Sequence, residues 1–308
     1  MNTHGGCSNA YTSQEDTVYY FDILNAYFDE ILTIFASFFI HPLLTSSAIS
    51  REINAIDNEH SKNIHNDYWR QYQLLKSFAT KSHPFSQFST GNTQTLPLEV
   101  NGVLLRDRLL EFYHVYYSSN MMCLAVYSNQ SLDTLESWVT DKFSAVPNYN
   151  IQRYQVSSTP FDGNSLQRIV NLVPIKDKHM IILHFPLPSM EVHYLSKPDR
   201  YIAHLLGHES EGSILAYLKS NGYANSLAAY LGESFSDFSC LNVSIELTDS
   251  GLQKTDEIIT VVFQYIGMLI QQGPLPWIAD EVKQLSELNF KYINKIEPDR
   301  YVTRLAAN

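Results

Sequence analysis

The stretch REINAIDNEHSKNIHNDYW, residues 51–69, carries two patterns at once. Ile49, Ile53, Ile56 and Ile64 recur at the steps of an amphipathic helix and give it an apolar face. Glu52 and Glu59 stand seven residues apart, which in an α-helix is two turns, roughly 10 Å. They fall within about 20° of the same side, and Asn63 continues that seam. Two aligned carboxylates on a partly buried helix suit a metal or acid/base site. A solvated acidic stripe fits the same spacing, because Glu is a common residue on helix surfaces.

Outward from this stretch, the absence of Gly and Pro predicts one long helix from about Ser47 to Phe78. Upstream, TVYYFDI (17–23) reads as a strand. Leu24, Tyr27, Ile31, Ile34, Phe35 and Phe38 then predict an amphipathic helix closed by His41-Pro42. Downstream, KSHPFSQFSTGNTQT (81–95) is loop, 101–117 helix, 121–127 (MMCLAVY) strand and 131–145 helix. The polar, Pro- and Gly-punctuated run 147–165 marks a domain boundary, giving domains at 1–157 and 158–308. The second is predicted to hold strands at 168–175 and 179–187, a helix from about Pro198 to Ser220, strands at 224–232 and 236–246, and helices at 249–271 and 276–294. Its strand-strand-helix order from Asn225 echoes the order from Asn9, each ending at a Pro-marked break before a further helix. The expected fold class is α+β, built from two homologous α/β sandwich domains.

Composition narrows the function. The chain has 308 residues, 44% hydrophobic and 17% charged, enough to bury a full core. Its formal net charge of -11, from 21 Lys+Arg against 32 Asp+Glu, disfavours phosphate backbones and anionic lipid. No G-x-x-x-x-G-K-[ST] or G-x-G-x-x-G occurs. The 3 cysteines, Cys7, Cys123 and Cys240, are widely spaced and read as free thiols. The longest apolar run, Ile31 to Ile40, is too short to span a bilayer, and the first residues show neither the basic nor the apolar segment of a signal peptide. A cytoplasmic protein without a membrane span or nucleic-acid partner is expected.

The wording of the acidic helix carries a resemblance. Arg51 to His60, the tract Asn66-Asp67-Tyr68-Trp69-Arg70 and the loop His83 to Asn92 resemble the insulin-degrading enzyme branch of the pitrilysin family. So do Ser8 to Ser13, Tyr116 to Asn120, Val173 to Asp177 and His204 to Glu209. These are inverzincin metallopeptidases, with zinc motif H-x-x-E-H. The resemblance implies a zinc-dependent endopeptidase acting on peptides, with two His and a distal Glu as ligands and an open position for water. It makes Glu59 the distal metal ligand and Glu52 the carboxylate that orients a ligand His. Asn9, Ala10 and Tyr11 resemble the edge strand that pairs with the scissile peptide, and Trp69 an aromatic near the active site; ordinary core packing explains Trp69 equally well. His204, Gly207 and Glu209 match an exosite that grips the substrate N-terminus by strand addition, together with the strand Leu227-Ala228-Ala229. Ala229 stands where the family usually has Gly, and an added methyl obstructs backbone approach.

Neither H-x-x-E-H nor H-E-x-x-H occurs among the 11 histidines. The resemblance puts that motif upstream of Met1, so the expectation is a first domain lacking its initial strands and catalytic helix, a truncated second domain, and zinc held by the intact parent and not by this chain. His204 and His208, i and i+4 on the predicted helix, form a workable metal pair, but no third ligand is evident. Two functions follow: a piece of a peptide-degrading zinc endopeptidase, inactive alone, whose partner is the remainder of the parent chain; or a non-catalytic peptide-binding subunit of an intact homologue. A fungal pheromone-processing relative fits the same pattern.

Overall fold

The structure, a computed structural model, describes residues 2–176 and 178–307. In chain order the elements are β1 (Cys7–Thr12), β2 (Thr17–Asp22), α1 (Phe28–Ile40), α2 (Ser46–Asn63), α3 (Asp67–Ser77), the two-residue strands β3 (Glu99–Val100) and β4 (Val103–Leu104), α4 (Leu105–Tyr116) and α5 (Leu132–Phe143). Then come β5 (Met180–Pro188), α6 (Pro198–Leu206), α7 (Ile214–Ser220), β6 (Ala224–Ser234), β7 (Phe238–Leu247), α8 (Asp249–Leu252), α9 (Thr255–Gln272), α10 (Pro276–Lys291) and α11 (Pro298–Ala307). The chain is α+β and forms two compact units. One comprises residues up to His65, Gln87–Ser157 and Lys295 onward; the other comprises Asn66–Ser86 and Ser158–Asn294.

In the first unit, β1 and β2 form an antiparallel hairpin with register Cys7↔Asp22 to Thr12↔Thr17. On α1, Phe28, Ile31, Leu32, Phe35 and Ala36 are buried, the i, i+3, i+4, i+7, i+8 stripe of a helix facing a core. Phe28 and Leu32 pack with Leu135 of α5, flanked by Phe21, Val126 and Trp138. The Tyr113 hydroxyl on α4 donates to the carbonyls of Phe39 and Ile40 at 2.8 and 3.1 Å, satisfying acceptors that the end of α1 leaves free. α11 packs on β2.

In the second unit, β5, β7 and β6 form an antiparallel sheet in that order, so β6 is an edge strand. β7 alternates between two surroundings. Leu241, Val243, Ile245 and Leu247 join Leu218, Leu227, Ile258 and Val262 in one apolar core. Cys240 and Asn242 point to the other face, where the Asn242 carboxamide oxygen lies 2.8 Å from Nδ1 of His184 across the sheet. Burial lowers the pKa of His184, which keeps its ring neutral there. The helices after the hairpin begin where a close approach allows it: a Cβ on Gly251 would lie 1.9 Å from the Tyr223 carbonyl oxygen, so only glycine fits.

Several expectations need correction. The helix expected over 47–78 is two, because the Asn66 side chain accepts the Tyr68 N–H at 2.9 Å and caps a new start. The helix expected over 198–220 is also two: α6 ends at Leu206 with Gly207 as its cap, and α7 restarts at the Ser213 cap. His204 and His208 are therefore not on one helix. The fourth helix begins at Leu105 and not at 101. Residues 121–127 and 168–175 read as strands, yet no described strand pairs with either, and Leu124, Tyr127, Ile169 and Val173 are exposed. β-propensity reports how a side chain fits a pleated surface and supplies no ladder partner. The hairpins at 7–22 and 224–247 and α1 lie where the pattern places them, whereas the helix expected over 249–271 is two, α8 and α9, broken at Gln253 and Lys254.

Ile258 is fully buried against β7. Ile258→Ala is expected to lower the unfolding free energy by about 2–5 kcal/mol, read by urea denaturation; Cys123→Ser at an exposed site should change it by less than about 0.5 kcal/mol.

Candidate functional site

α6 begins with Pro198 at its first turn and is strongly amphipathic, so its inner face fixes the direction in which it ends. Its end meets β6 closely: a Cβ on Gly207 would lie 3.0 Å from the Ala203 carbonyl oxygen and 3.3 Å from the Ala229 backbone nitrogen. Beside this contact is a cleft of about 850 Å³. One wall is α6 and the turn after it, with Asp199, His204, Gly207, His208 and Glu209; another is β6 from Leu227 to Leu231; a third is α10, with Val282, Leu285 and Ser286. The His204 and His208 rings have centroids 5.5 Å apart despite the helix end between them. The cleft thus combines two carboxylates, two imidazoles and the unpaired edge of a sheet. An unpaired edge offers backbone donors and acceptors to an extended chain.

The residues expected from the sequence at the peptide-gripping site, His204, Gly207, Glu209, Leu227 and Ala229, all line this one cleft. Asp199 and the α10 side chains also line it. The amphipathic pattern of α10 marks a packing face but does not say that part of it meets a cleft, so no single-sequence signal identifies them.

The residues expected around the metal lie in the other unit. Glu52 and Glu59 are both exposed on α2. The Thr45 side chain caps that helix and Ile49 and Ile53 bury its apolar face. Asp57, off the Glu52–Glu59 seam, accepts the Thr93 N–H at 2.8 Å and its hydroxyl at 3.1 Å, tying the loop after residue 87 to the helix. Among the described residues, no group of three or more His, Cys, Asp or Glu converges as metal ligands would. A catalytic zinc needs three protein ligands and an open position. The carboxylates of Glu52 and Glu59 are not such a set, so no chemistry of this chain is derived through a metal.

Asn9, Ala10 and Tyr11 lie on β1, opposite Tyr20, Tyr19 and Val18 of β2, and are exposed. Beside them is a smaller hollow of about 260 Å³, walled by Tyr19, Tyr20 and the Ile34, Phe35 and Phe38 side chains of α1. Trp69 sits on α3 in the second unit, with ring centroids 5.5 Å from Tyr68 and 6.2 Å from Tyr72.

Two family models match the sequence: the insulinase model of peptidase family M16 over residues 1–81, and the peptidase M16 inactive domain over residues 104–286. The chain belongs to the M16 peptidase family. M16 relatives include the peroxisomal insulin-degrading enzyme-like 1 of Arabidopsis thaliana, 41% identical over 99% of this chain and 32% of its own length. The insulin-degrading enzyme of Homo sapiens is 40% identical over 99% of the chain and 30% of its own length. The A-factor-processing enzyme of Saccharomyces cerevisiae is 39% identical with the same coverage of 99% and 30%. The chain therefore spans about a third of the length of the curated relatives it matches. In structure it is similar to pitrilysin, with a TM-score of 0.94 and 27% identity over 99% of this chain and 33% of that one. A peptidase M16 inactive domain from Pseudomonas fluorescens shares the fold at a TM-score of 0.70 and 14% identity, over 99% of this chain and 70% of that one.

Gly207→Ala would place a methyl between α6 and β6, 3.0 Å from the Ala203 carbonyl oxygen and 3.3 Å from the Ala229 nitrogen, closer than ordinary van der Waals contact. It is expected to destabilise the chain by about 1–3 kcal/mol, measured by urea denaturation, whereas Ala at the open site Gly163 should not.

Proposed function

We propose that this chain is the peptide-gripping part of a zinc metalloendopeptidase of the M16 family and does not cleave peptides by itself. The observation that carries the reading is the cleft between α6, β6 and α10, where an unpaired strand edge runs beside Asp199, Glu209 and two imidazoles. An extended peptide adds to β6 through backbone hydrogen bonds, and its N-terminal ammonium meets the carboxylates. Ala229 narrows the approach relative to glycine, so Ala229→Gly should strengthen binding. Glu59, with Glu52 behind it, contributes one ligand to a zinc whose histidines and general base come from the rest of the parent protein. Asn9 to Tyr11 align the scissile segment along β1, and Trp69 contacts substrate. Along the sequence we read two homologous metallopeptidase-like domains, 1–157 and 158–308, although the compact units exchange Asn66–Ser86 and the segment from Lys295 across that boundary. Three free cysteines support a reducing, cytoplasmic setting.

A second reading is a non-catalytic subunit that binds peptides beside an intact homologue. It is favoured by the match of residues 104–286 to the inactive-domain model.

Fluorescence anisotropy of the 308-residue chain with a labelled, extended peptide tests the gripping site. Saturable binding is expected, weakened about tenfold, or ~1.4 kcal/mol, by N-acetylation of the peptide and by Glu209→Gln. Equal binding of free and acetylated peptides would sink the assignment. Mass spectrometry of the same mixture with added zinc should find the peptide intact; cleavage would overturn the non-catalytic part.

A further inference from the structure

α3 carries Tyr68, Tyr72 and Lys76 at i, i+4 and i+8, a single stripe. Lys76 is fully buried, its exposure 0%. Its Nζ has no hydrogen-bond partner and lies 4.9 Å from the Phe85 ring centroid and 5.3 Å from that of Tyr72. The carboxylate that faces it is Glu233, to which the Tyr72 hydroxyl donates. Glu233 owes its direction to a register shift in β6 between Leu231 and Glu233. A lysine so placed gives up its hydration for two ring faces and a nearby carboxylate, a poor exchange by the usual measure of buried charge.

We propose that Lys76 and Glu233 form a proton-operated latch that lets the C-terminal half of α3 detach from the bulged end of β6. Burial outweighs the attraction between the two groups. It lowers the Lys76 ammonium to about 8 from its usual 10.5 and raises the Glu233 carboxyl above its ordinary value of 4.5. Between pH 8 and 10.5 the detached helix binds a proton that the docked one does not, so docking tightens as pH rises. Above pH 4.5 Glu233 acts in the opposite sense, and docking loosens as its carboxyl ionises. The latch is loosest between these two windows, once Glu233 has ionised and before Lys76 loses its proton.

Other titratable groups surround the latch, and those that burial raises, Tyr68 and Cys240, act against Lys76 in the upper part of this window. Tyr68 faces Glu233 and Tyr230, and burial raises it. Cys240, across β7, is pushed up to about 12. His83 and Asp237 engage each other at 2.6 Å, while the Phe85 N–H donates to Nδ1 of His83. Beyond Phe161, Asp162 is lowered by its Ser165 and Asn164 hydrogen bonds. The N-terminal end of α3 has a separate tether: Asp67 accepts the N–H groups of Ile175 and Lys176 at 2.9 and 3.0 Å, which lower its carboxyl below its ordinary value. Only the Lys76 end is built to let go.

Hydrogen exchange of the 308-residue chain, read by mass spectrometry on Arg70–Ser77 amides, tests the latch. Comparing wild type with Lys76→Met at each pH removes the intrinsic pH dependence. Near neutral pH, wild type should exchange about tenfold faster in α3 than Lys76→Met, and the ratio should fall toward one as Lys76 loses its proton. Glu233→Gln, which leaves the ammonium uncompensated, should open α3 further at neutral pH. α9 should exchange alike in all three. A wild-type to Lys76→Met ratio of one at every pH would overturn the latch, as would α3 opening only together with α9. If Lys76→Met does not fold, the wild-type ratio of α3 to α9 exchange across the same range decides instead.

Discussion

β7 lies between β5 and β6 and, from Cys240 onward, presents the apolar Leu241, Val243, Ile245 and Leu247 to one side and Asn242, Ser244 and Glu246 to the other. Most of the second unit follows from that division. The apolar row demands helices, and α7 and α9 supply them with Leu218, Ile258 and Val262. The polar row cannot take an apolar cover without stranding Asn242. It meets His184 across the sheet, and at its far end Glu233 accepts a hydrogen bond from the Tyr72 hydroxyl of α3. Gly232 is part of the same constraint: a Cβ there would strike the Asn242 carboxamide at 2.0 Å. The alternation that builds the core thus also places the titratable groups, and both depend on one register.

The cleft and the latch use different parts of β6. Leu227 to Leu231 run straight along the cleft, between one irregularity at Ala224–Ser226 and another after Leu231. A bulge within Leu227–Leu231 would break the regular spacing of donors and acceptors that an extended peptide needs. The strand is regular where it borders the cleft and distorted where the half-buried Glu233 carboxylate turns toward α3.

The hairpins and amphipathic helices were legible because each is specified by residues near in sequence. The apolar stripe of α1 and the alternation in β7 needed no knowledge of what they pack against. The misreadings have physical causes. Asn66 ends one helix and starts another through a single side-chain hydrogen bond, which a search for Gly and Pro passes over. Residues 121–127 and 168–175 have strand composition, but strand formation also depends on a partner elsewhere. In the cleft, the residues of α6 and β6 were readable through resemblance, while α10 enters it by tertiary placement alone. Lys76 was invisible as a buried charge because it sits among polar neighbours, in QYQLLKS, that suggest a solvated helix face.

The two units exchange segments along the chain: Asn66–Ser86 groups with the second, and Lys295 onward with the first. No single cut therefore separates them intact. During synthesis the hairpin of β1 and β2 emerges long before α11, which packs on β2. The first unit waits on the translation of nearly the whole of the second. α3 in turn is made long before the β6 bulge that receives it, so its aromatic stripe and its lysine spend much of synthesis in water. Closure of both units requires contacts between segments separated by well over a hundred residues, a topology that favours slow and mutually dependent folding.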